Sequence, residues 1–206
     1  MGFWGWPAAQ HDSSKRACLA ALSIRTAFEQ AADDPTHPLR DFHVGIGIAS
    51  GPAVAGKLGS ADQVKVTAFG PVVNLAARLE TMTKAVGANI LIDETTLAAV
   101  GQQPSDGSEM RFRQVAQVQP FGFQNALQAT ELLPSLAEDD RLSDDDLAAY
   151  EQARNQFQQG AWEEAQKLLG KVSDQDPVKL FLLDYLKKQG PTAPSEWNGT
   201  IVMETK

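Results

Sequence analysis

Val66-Thr-Ala-Phe-Gly-Pro-Val-Val-Asn-Leu-Ala-Ala-Arg-Leu-Glu80 is the stretch whose reading decides the fold of this chain. Val64 to Phe69 predicts a short strand, Gly70-Pro71 a turn, and Val72 to Lys84 a helix. Pro71 suits the first helical turn, where its missing N–H costs nothing. Asn74 and Arg78 are four apart, so both project from one face near the N-terminal end of that helix. That end carries a partial positive charge and unsatisfied N–H groups. A guanidinium beside an amide there suits an anionic ligand with hydroxyls, such as a nucleotide. The same spacing also serves as the solvated face of an otherwise apolar helix, and the spacing leaves both readings open.

Working upstream, Ala53 to Leu58 predicts a second short strand. Phe42-His-Val-Gly-Ile-Gly-Ile-Ala-Ser-Gly51 predicts a third, with Val44, Ile46 and Ile48 alternating with glycines where another backbone or a ligand must come close. Asp12 to Ala32 places Ala17, Leu19, Ala20, Leu22, Ile24, Ala27 and Phe28 in one helical stripe, with Asp12 or Ser13 as N-cap. Met1-Gly-Phe-Trp-Gly-Trp-Pro7 is apolar and aromatic from its first residue and reads as a buried strand from the interior of a longer protein. Downstream, Asn89 to Asp93 predicts a strand and Glu94 to Val100 a short helix. Met110 to Val118 and Phe123 to Leu132 predict a closing antiparallel pair. Without strict βα alternation, the class is α+β, with helices packed on a largely antiparallel sheet.

The character changes at Pro134. Glu138 to Asp146 holds six acidic residues and one arginine, the composition of a solvated linker. Leu147 to Gln158 and Trp162 to Val172 predict two helices broken at Gly160, and Pro177 to Gln189 a third. Gly160-x-Trp162-Glu-Glu-Ala165, followed by Leu169 and Pro177, is similar to one tetratricopeptide unit. One such unit cannot bury its own face, so it is expected to dock, on its own domain in preference to a partner. The expected division is therefore a first domain over residues 1–133, an acidic linker over 134–146, and a helical hairpin extension with a C-terminal tail over 147–206.

Composition narrows the functional classes. The 206 residues are 43% hydrophobic and 21% charged, which supports a packed core. The net charge of −8 is uneven: residues 1–133 carry 10 Lys/Arg against 12 Asp/Glu, whereas 134–206 carry 8 against 14. Neither part is basic, so nucleic acid is not an expected partner. One cysteine, Cys18, and three histidines (His11, His37 and His43) build neither a disulfide framework nor a zinc site, so any metal must be oxygen-ligated. Cys18 falls in the apolar stripe and is expected in the core. Lys57 in Ala55-Gly-Lys-Leu-Gly59 suits either a phosphate contact or a solvated turn. Gly45-x-Gly47-x-x-x-Gly51 lacks both the spacing and the following helix of a dinucleotide loop. No apolar run reaches the roughly 18 residues of a membrane span.

Phe69-Gly-Pro-Val-Val-Asn-Leu-Ala-Ala-Arg-Leu-Glu80, together with His43-Val-Gly-Ile-Gly-Ile-Ala-Ser-Gly51, resembles the catalytic domain of class III adenylate/guanylate cyclases over about residues 1–132. Met1 to Pro7 looks like the family strand that follows the second metal-binding aspartate. The resemblance implies a ferredoxin-like α+β sandwich, paired head to tail as a homodimer whose active sites are shared. It implies conversion of ATP, with GTP as the alternative, to a cyclic nucleotide and pyrophosphate. Asn74 matches the asparagine that orients the ribose. Arg78 matches the arginine that stabilises charge on the α-phosphate as the ribose 3′-oxygen attacks. Thr67, seven before Asn74, falls at the purine-recognition position.

Departures from the family pattern are equally specific. The two aspartates that hold Mg²⁺ or Mn²⁺, and a purine-contacting lysine, lie before Met1 in the family. No residue here is therefore assigned to a metal, and none is expected bound by this chain alone. A family Lys-Gly-Lys pattern that holds the triphosphate is replaced by Pro120-Phe121-Gly122-Phe123. No lysine lies between Lys84 and Lys167, so Arg111 or Arg113 would have to substitute. The end, Trp197-Asn-Gly-Thr-Ile-Val-Met-Glu-Thr-Lys206, is similar to the tail of bacterial membrane-bound cyclases, which implies a cytoplasmic domain whose parent is membrane-anchored. The rival reading is a catalytically inactive cyclase-like module that dimerises or senses nucleotide, with the helical extension binding protein. A third is a stand-alone tetratricopeptide adaptor around Trp162.

Overall fold

The computed structural model describes residues 1–8, 10–60, 63–101, 110–120, 124–139 and 141–203. Along the chain run α1 (Ser13–Asp33), β1 (Ile46–Ile48), β2 (Val54–Ser60), β3 (Gln63–Phe69), α2 (Pro71–Val86), β4 (Ile90–Ile92) and α3 (Glu94–Gly101). They are followed by β5 (Arg111–Gln119), β6 (Leu127–Leu133), α4 (Asp144–Gln158), α5 (Trp162–Leu169), α6 (Pro177–Gln189) and β7 (Thr200–Val202). A five-stranded sheet has the order β1-β4-β6-β5-β7, and β2 and β3 form a separate hairpin. The class is α+β, as expected. The sheet, however, is mixed: β4 and β5 each pair antiparallel with β6, but β1 pairs parallel with β4 and β5 parallel with β7. Both parallel pairings follow from long helical crossovers, α2 in one case and α4 to α6 in the other.

β1 and α2 fit together through glycine. A Cβ on Gly47 would stand 2.1 Å from the Ala76 carbonyl oxygen and 2.3 Å from the Glu80 nitrogen, and one on Gly45 2.1 Å from Thr83 Oγ1. The glycines predicted to admit a backbone or a ligand thus admit the backbone of α2. Of the predicted 42–51 strand only Ile46–Ile48 pair in the sheet. On that face Leu79, Met82 and Val86 of α2 pack with Leu91, Val115, Val118 and Ala129. On the other, Cys18 and Ala21 of α1 and Val100 of α3 cover Ile90, Ile92 and Leu132.

The segment after Pro134 docks on the sheet. Ser143 and Asp146 cap α4 reciprocally, with the Asp146 amide donating to Ser143 Oγ at 3.1 Å and the Ser143 amide to Asp146 Oδ2 at 3.0 Å. Tyr150, Phe157, Trp162, Leu169, Leu182 and Leu186 join the α2 core. Phe157, Trp162, Tyr185 and Trp197 pack ring on ring, and β7 adds to β5, with the Met203 amide donating to the Gln119 carbonyl at 3.0 Å. Burying each large side chain fully is worth about 1.5–3 kcal/mol. The apolar face of the helical pair is therefore occupied by the sheet, which ends the stand-alone adaptor reading.

Asp176 caps α6 at the Val178 and Lys179 amides, and Pro177 abuts the end of α2. There Gly87 holds φ +76, and a Cβ on it would meet Pro177 Cβ at 2.7 Å. Within the acidic stretch, Asp139 receives Arg25 of α1 and Arg141, while Arg111 of β5 donates to the Leu142 carbonyl at 2.7 Å and the Asp139 carbonyl at 3.0 Å.

Met1 to Pro7 departs from expectation. These residues form no strand and are largely exposed. An apolar composition does not supply the neighbouring strand that β structure requires. Phe3 and Trp6 instead meet each other edge to face at 6.5 Å.

Candidate active site

Thr67 lies on β3 opposite Gly56 of β2, flanked by the pairs Lys65 with Leu58 and Phe69 with Val54. Alternation puts these six on one face of the hairpin and turns Ala68, which is buried, to the other. The face that carries Thr67 is open: Val54 is 74% exposed, Leu58 58% and Phe69 51%. Gly56 leaves the space opposite Thr67 without a side chain. Lys57 points to the other face, against Val66, so the structure does not bring it beside Thr67.

Gly70, at φ +149, turns β3 directly into α2, and a Cβ there would sit 3.1 Å from the Pro52 carbonyl oxygen. As N-cap it provides no side chain to the first turn, and that turn holds no acidic residue. Only the Val73 amide bonds back, to the Gly70 carbonyl at 3.1 Å. Asn74, exposed, and Arg78, half-buried one turn later, share a face of this helix. An amide, a guanidinium and the positive end of a helix thus follow directly on the strand that carries Thr67, an arrangement suited to a polyanion with hydroxyl groups.

Arg111 and Arg113, the expected substitutes for the missing lysines, are not placed to hold a triphosphate. Arg111 donates to the carbonyls of Pro134, Leu142 and Asp139. Arg113 is buried, pairing with Glu131 and with Asp176 at 2.5 Å each, under the ring of Tyr150. Burial opposes its charge, but Glu131 and Asp176 outweigh this and hold its pKa above the ordinary arginine value. Burial likewise pushes the Glu131 carboxyl up, against the pull of Arg113. Sequence reasoning missed this cluster because Asp176 lies far from its partners along the chain. Phe121-Gly122-Phe123 lies outside the described residues. Cys18 is buried as expected, its thiol pushed up to about 12 by burial and then by the Asp93 carboxylate. His37 accepts from the Leu39 amide in a local turn.

Among the described residues no group of three or more His, Cys, Asp and Glu side chains is placed to hold a metal ion. The described residues do not form the two-metal cage of a cyclase. The apolar hairpin face beside Thr67 was also unforeseen, although Val54, Leu58 and Phe69 carry its signal once the register is known.

The family model of the adenylate and guanylate cyclase catalytic domain matches residues 1–126, from the N-terminal segment through β5. The chain belongs to this family. Adenylate cyclase 1 of Rhizobium meliloti (strain 1021) is 31% identical over 99 residues, 48% of this chain and 15% of that protein. An adenylate cyclase of Anabaena cylindrica is 44% identical over 86 residues, 39% of this chain and 17% of that protein. The cyclase chain described here thus spans a small part of the length of these curated relatives. The adenylyl cyclase CyaB from P. aeruginosa shares the fold, with a TM-score of 0.50 at 22% identity over 64% of this chain and 65% of that one.

Proposed function

We infer that this chain carries part of the catalytic machinery of an adenylate cyclase acting in cyclic nucleotide signalling, with ATP as substrate and GTP as the alternative. The observation that carries the reading is the placement of Asn74 and Arg78 one turn apart on the N-terminal half of α2, which has no side-chain cap and follows directly on the strand that holds Thr67. In the reaction the ribose 3′-oxygen attacks the α-phosphate in line and pyrophosphate leaves. Asn74 orients the ribose, Arg78 sets its guanidinium against the charge growing on the α-phosphate, and Thr67 meets the purine. Cyclases of this family generally use Mg²⁺ or Mn²⁺, which neutralise triphosphate charge when bound.

The exposed face of Val54, Leu58 and Phe69 supports a head-to-tail homodimer in which a second copy covers Thr67. We assign residues 1–133 to the catalytic fold, 134–146 to the connection and 147–206 to an extension built on a tetratricopeptide-like helical pair. The domain belongs on the cytoplasmic side of a membrane-anchored parent.

The test is an assay of cyclic AMP with Mn²⁺ on the chain extended upstream by the family's first strand and its two aspartates. Arg78→Ala should cost about 10²–10³-fold in kcat. No product from the extended domain, or undiminished activity in Arg78→Ala, overturns the catalytic assignment. The engagement of Arg111 and Arg113 elsewhere favours a second reading, an inactive dimerising or nucleotide-sensing module. Calorimetry with an ATP analogue separates the two, because a scaffold dimerises without nucleotide-dependent heat.

A further inference from the structure

Among the described residues two buried side-chain atoms lack a hydrogen-bond partner, Thr130 Oγ1 and Arg154 Nε. Both residues line the same cavity, about 440 Å³ in volume. Its walls come from three places: Leu97 of α3, Phe112 and Thr130 on the β5–β6 pair, and Leu147, Tyr150 and Arg154 of α4. The opening has a structural cause. β7 pairs with β5 only from Gln117 onward, so the edge of β5 around Gln114 has no neighbouring strand, and the β5–β6 register slips between Gln114 and Ala116. At that edge α4 takes the place of a strand, with Tyr150 Oη donating to the Val115 carbonyl at 3.0 Å. A rod laid against an irregular sheet edge leaves a gap, and this one is lined by apolar and polar side chains together, two of them with orphaned atoms.

The charges in the gap are unequal. Arg113 is neutralised by Glu131 and Asp176, and Asp144 at the rim faces Arg111 at 3.5 Å. Arg154 is only 6% exposed, yet its Nη1 and Nη2 donate to the neutral side-chain oxygens of Gln158 at 3.1 Å and Asn155 at 2.8 Å, and among the described residues it forms no ion pair with a carboxylate. Burial depresses its pKa, against the weaker pull of exposed Glu151. A buried cation without a counter-charge is costly, and a hydrogen-bonded carboxylate would relieve that cost. Leu97, Phe112, Leu147 and Ala148 give the cavity an apolar side that an inorganic anion would leave unused, Asp144 and Glu151 add carboxylates that set a limit on its net positive charge, and the volume lies within the range of small-molecule sites.

We propose that the cavity between α3, β5 and α4 is a binding site for a small organic carboxylate with an apolar body, its carboxylate on Arg154 and its polar edge within reach of the Thr130 hydroxyl. No residue of α2 or of the β2–β3 hairpin lines it, so the site stands independently of the cyclase reading. Its position between the sheet and α4 means that an occupant braces the extension against the catalytic fold.

The full chain is titrated with sodium benzoate and, as the uncharged isostere, benzamide, followed by NMR amide shifts and calorimetry. Benzoate should bind with a Kd on the order of 1 mM, shift the amides of Thr130 and α4, and outcompete benzamide at least 10-fold. Arg154→Met should abolish the preference. Glu151→Gln, an exposed change that leaves the fold intact, should tighten benzoate several-fold by removing a competing charge. Equal binding of the two probes, absence of shifts at Thr130 and α4, or unaltered benzoate affinity in Glu151→Gln would overturn the proposal.

Discussion

Gly47→Ala tests the idea that α2 is placed by direct contact with the backbone of β1. The new methyl carbon would stand 2.1 Å from the Ala76 carbonyl oxygen and 2.3 Å from the Glu80 nitrogen, both fixed parts of the helix. Ordinary contact begins near 3.4 Å, so α2 must withdraw by about 1.3 Å from the sheet. Its buried face, Leu79, Met82 and Val86, then loses close packing, and a gap of that size forfeits roughly half of each contact. Overpacking alone costs about 1–3 kcal/mol, and the lost packing adds to it, so the expected loss is about 3 kcal/mol or more. For a chain of this size that lowers Tm by about 6–12 °C. Urea unfolding followed by tryptophan fluorescence, to which buried Trp162 and half-buried Trp197 contribute, measures it, with the midpoint falling at constant m. Gly56→Ala is the control, since nothing lies within 4 Å of its Cβ position; it should stay within about 0.5 kcal/mol of the parent. A loss below about 1 kcal/mol in Gly47→Ala, or an equal loss in Gly56→Ala, refutes the packing account. In the extended cyclase the same withdrawal displaces Arg78, so kcat should fall more than KM rises.

Two further outcomes follow from the buried polar groups. Arg113→Ala strands Glu131 and Asp176 without their cation and should cost about 3–5 kcal/mol in chemical denaturation, whereas replacing all three by apolar residues of similar volume should recover most of that loss. Cys18 should resist thiol reagents at pH 8 in the native state and react only on unfolding. Because its folded pKa, about 12, lies above the ordinary 9.0, the protonated thiol stabilises the fold below pH 9, and that stability is lost as pH rises from 9 toward 12. The decline should approach about 1.4 kcal/mol per pH unit and disappear in Cys18→Val.

The parts of the fold legible in the sequence are those whose signal is local. Gly70-Pro71 between an alternating run and a helical one fixed the β3–α2 connection, and the helical periodicity of residues 12–32, 147–158 and 177–189 located α1, α4 and α6 to within a few residues. The glycines of 42–51 announced a close approach without revealing that its partner was α2. β7 escaped notice because three residues carry no usable periodicity and its partner, β5, lies about eighty positions earlier. Met1 to Pro7 misled for the converse reason, its composition being strand-like where the structure offers it no strand to join. At the site, the one-turn spacing of Asn74 and Arg78 was readable directly. The fate of Arg111 and Arg113 was not, because it depends on Asp139, Leu142 and Asp176, contacts made only once the extension has docked.

The pairing of β5 with β7 sets the order in which the molecule can be finished. β5 must wait for residues near 200 before its outer edge is closed, and the sheet face at Val115 and Val118, which α2 reaches from one side, lacks its cover from Tyr150, Phe157 and Leu182 until α4 to α6 arrive. The span recognised by family similarity, residues 1–126, stops before β6, the strand that lies between β4 and β5. Cutting the gene at the end of that span would remove the central antiparallel partner of β4 and β5 and expose an apolar surface, a recipe for inclusion bodies from a sequence that looks, by homology, like a self-sufficient module.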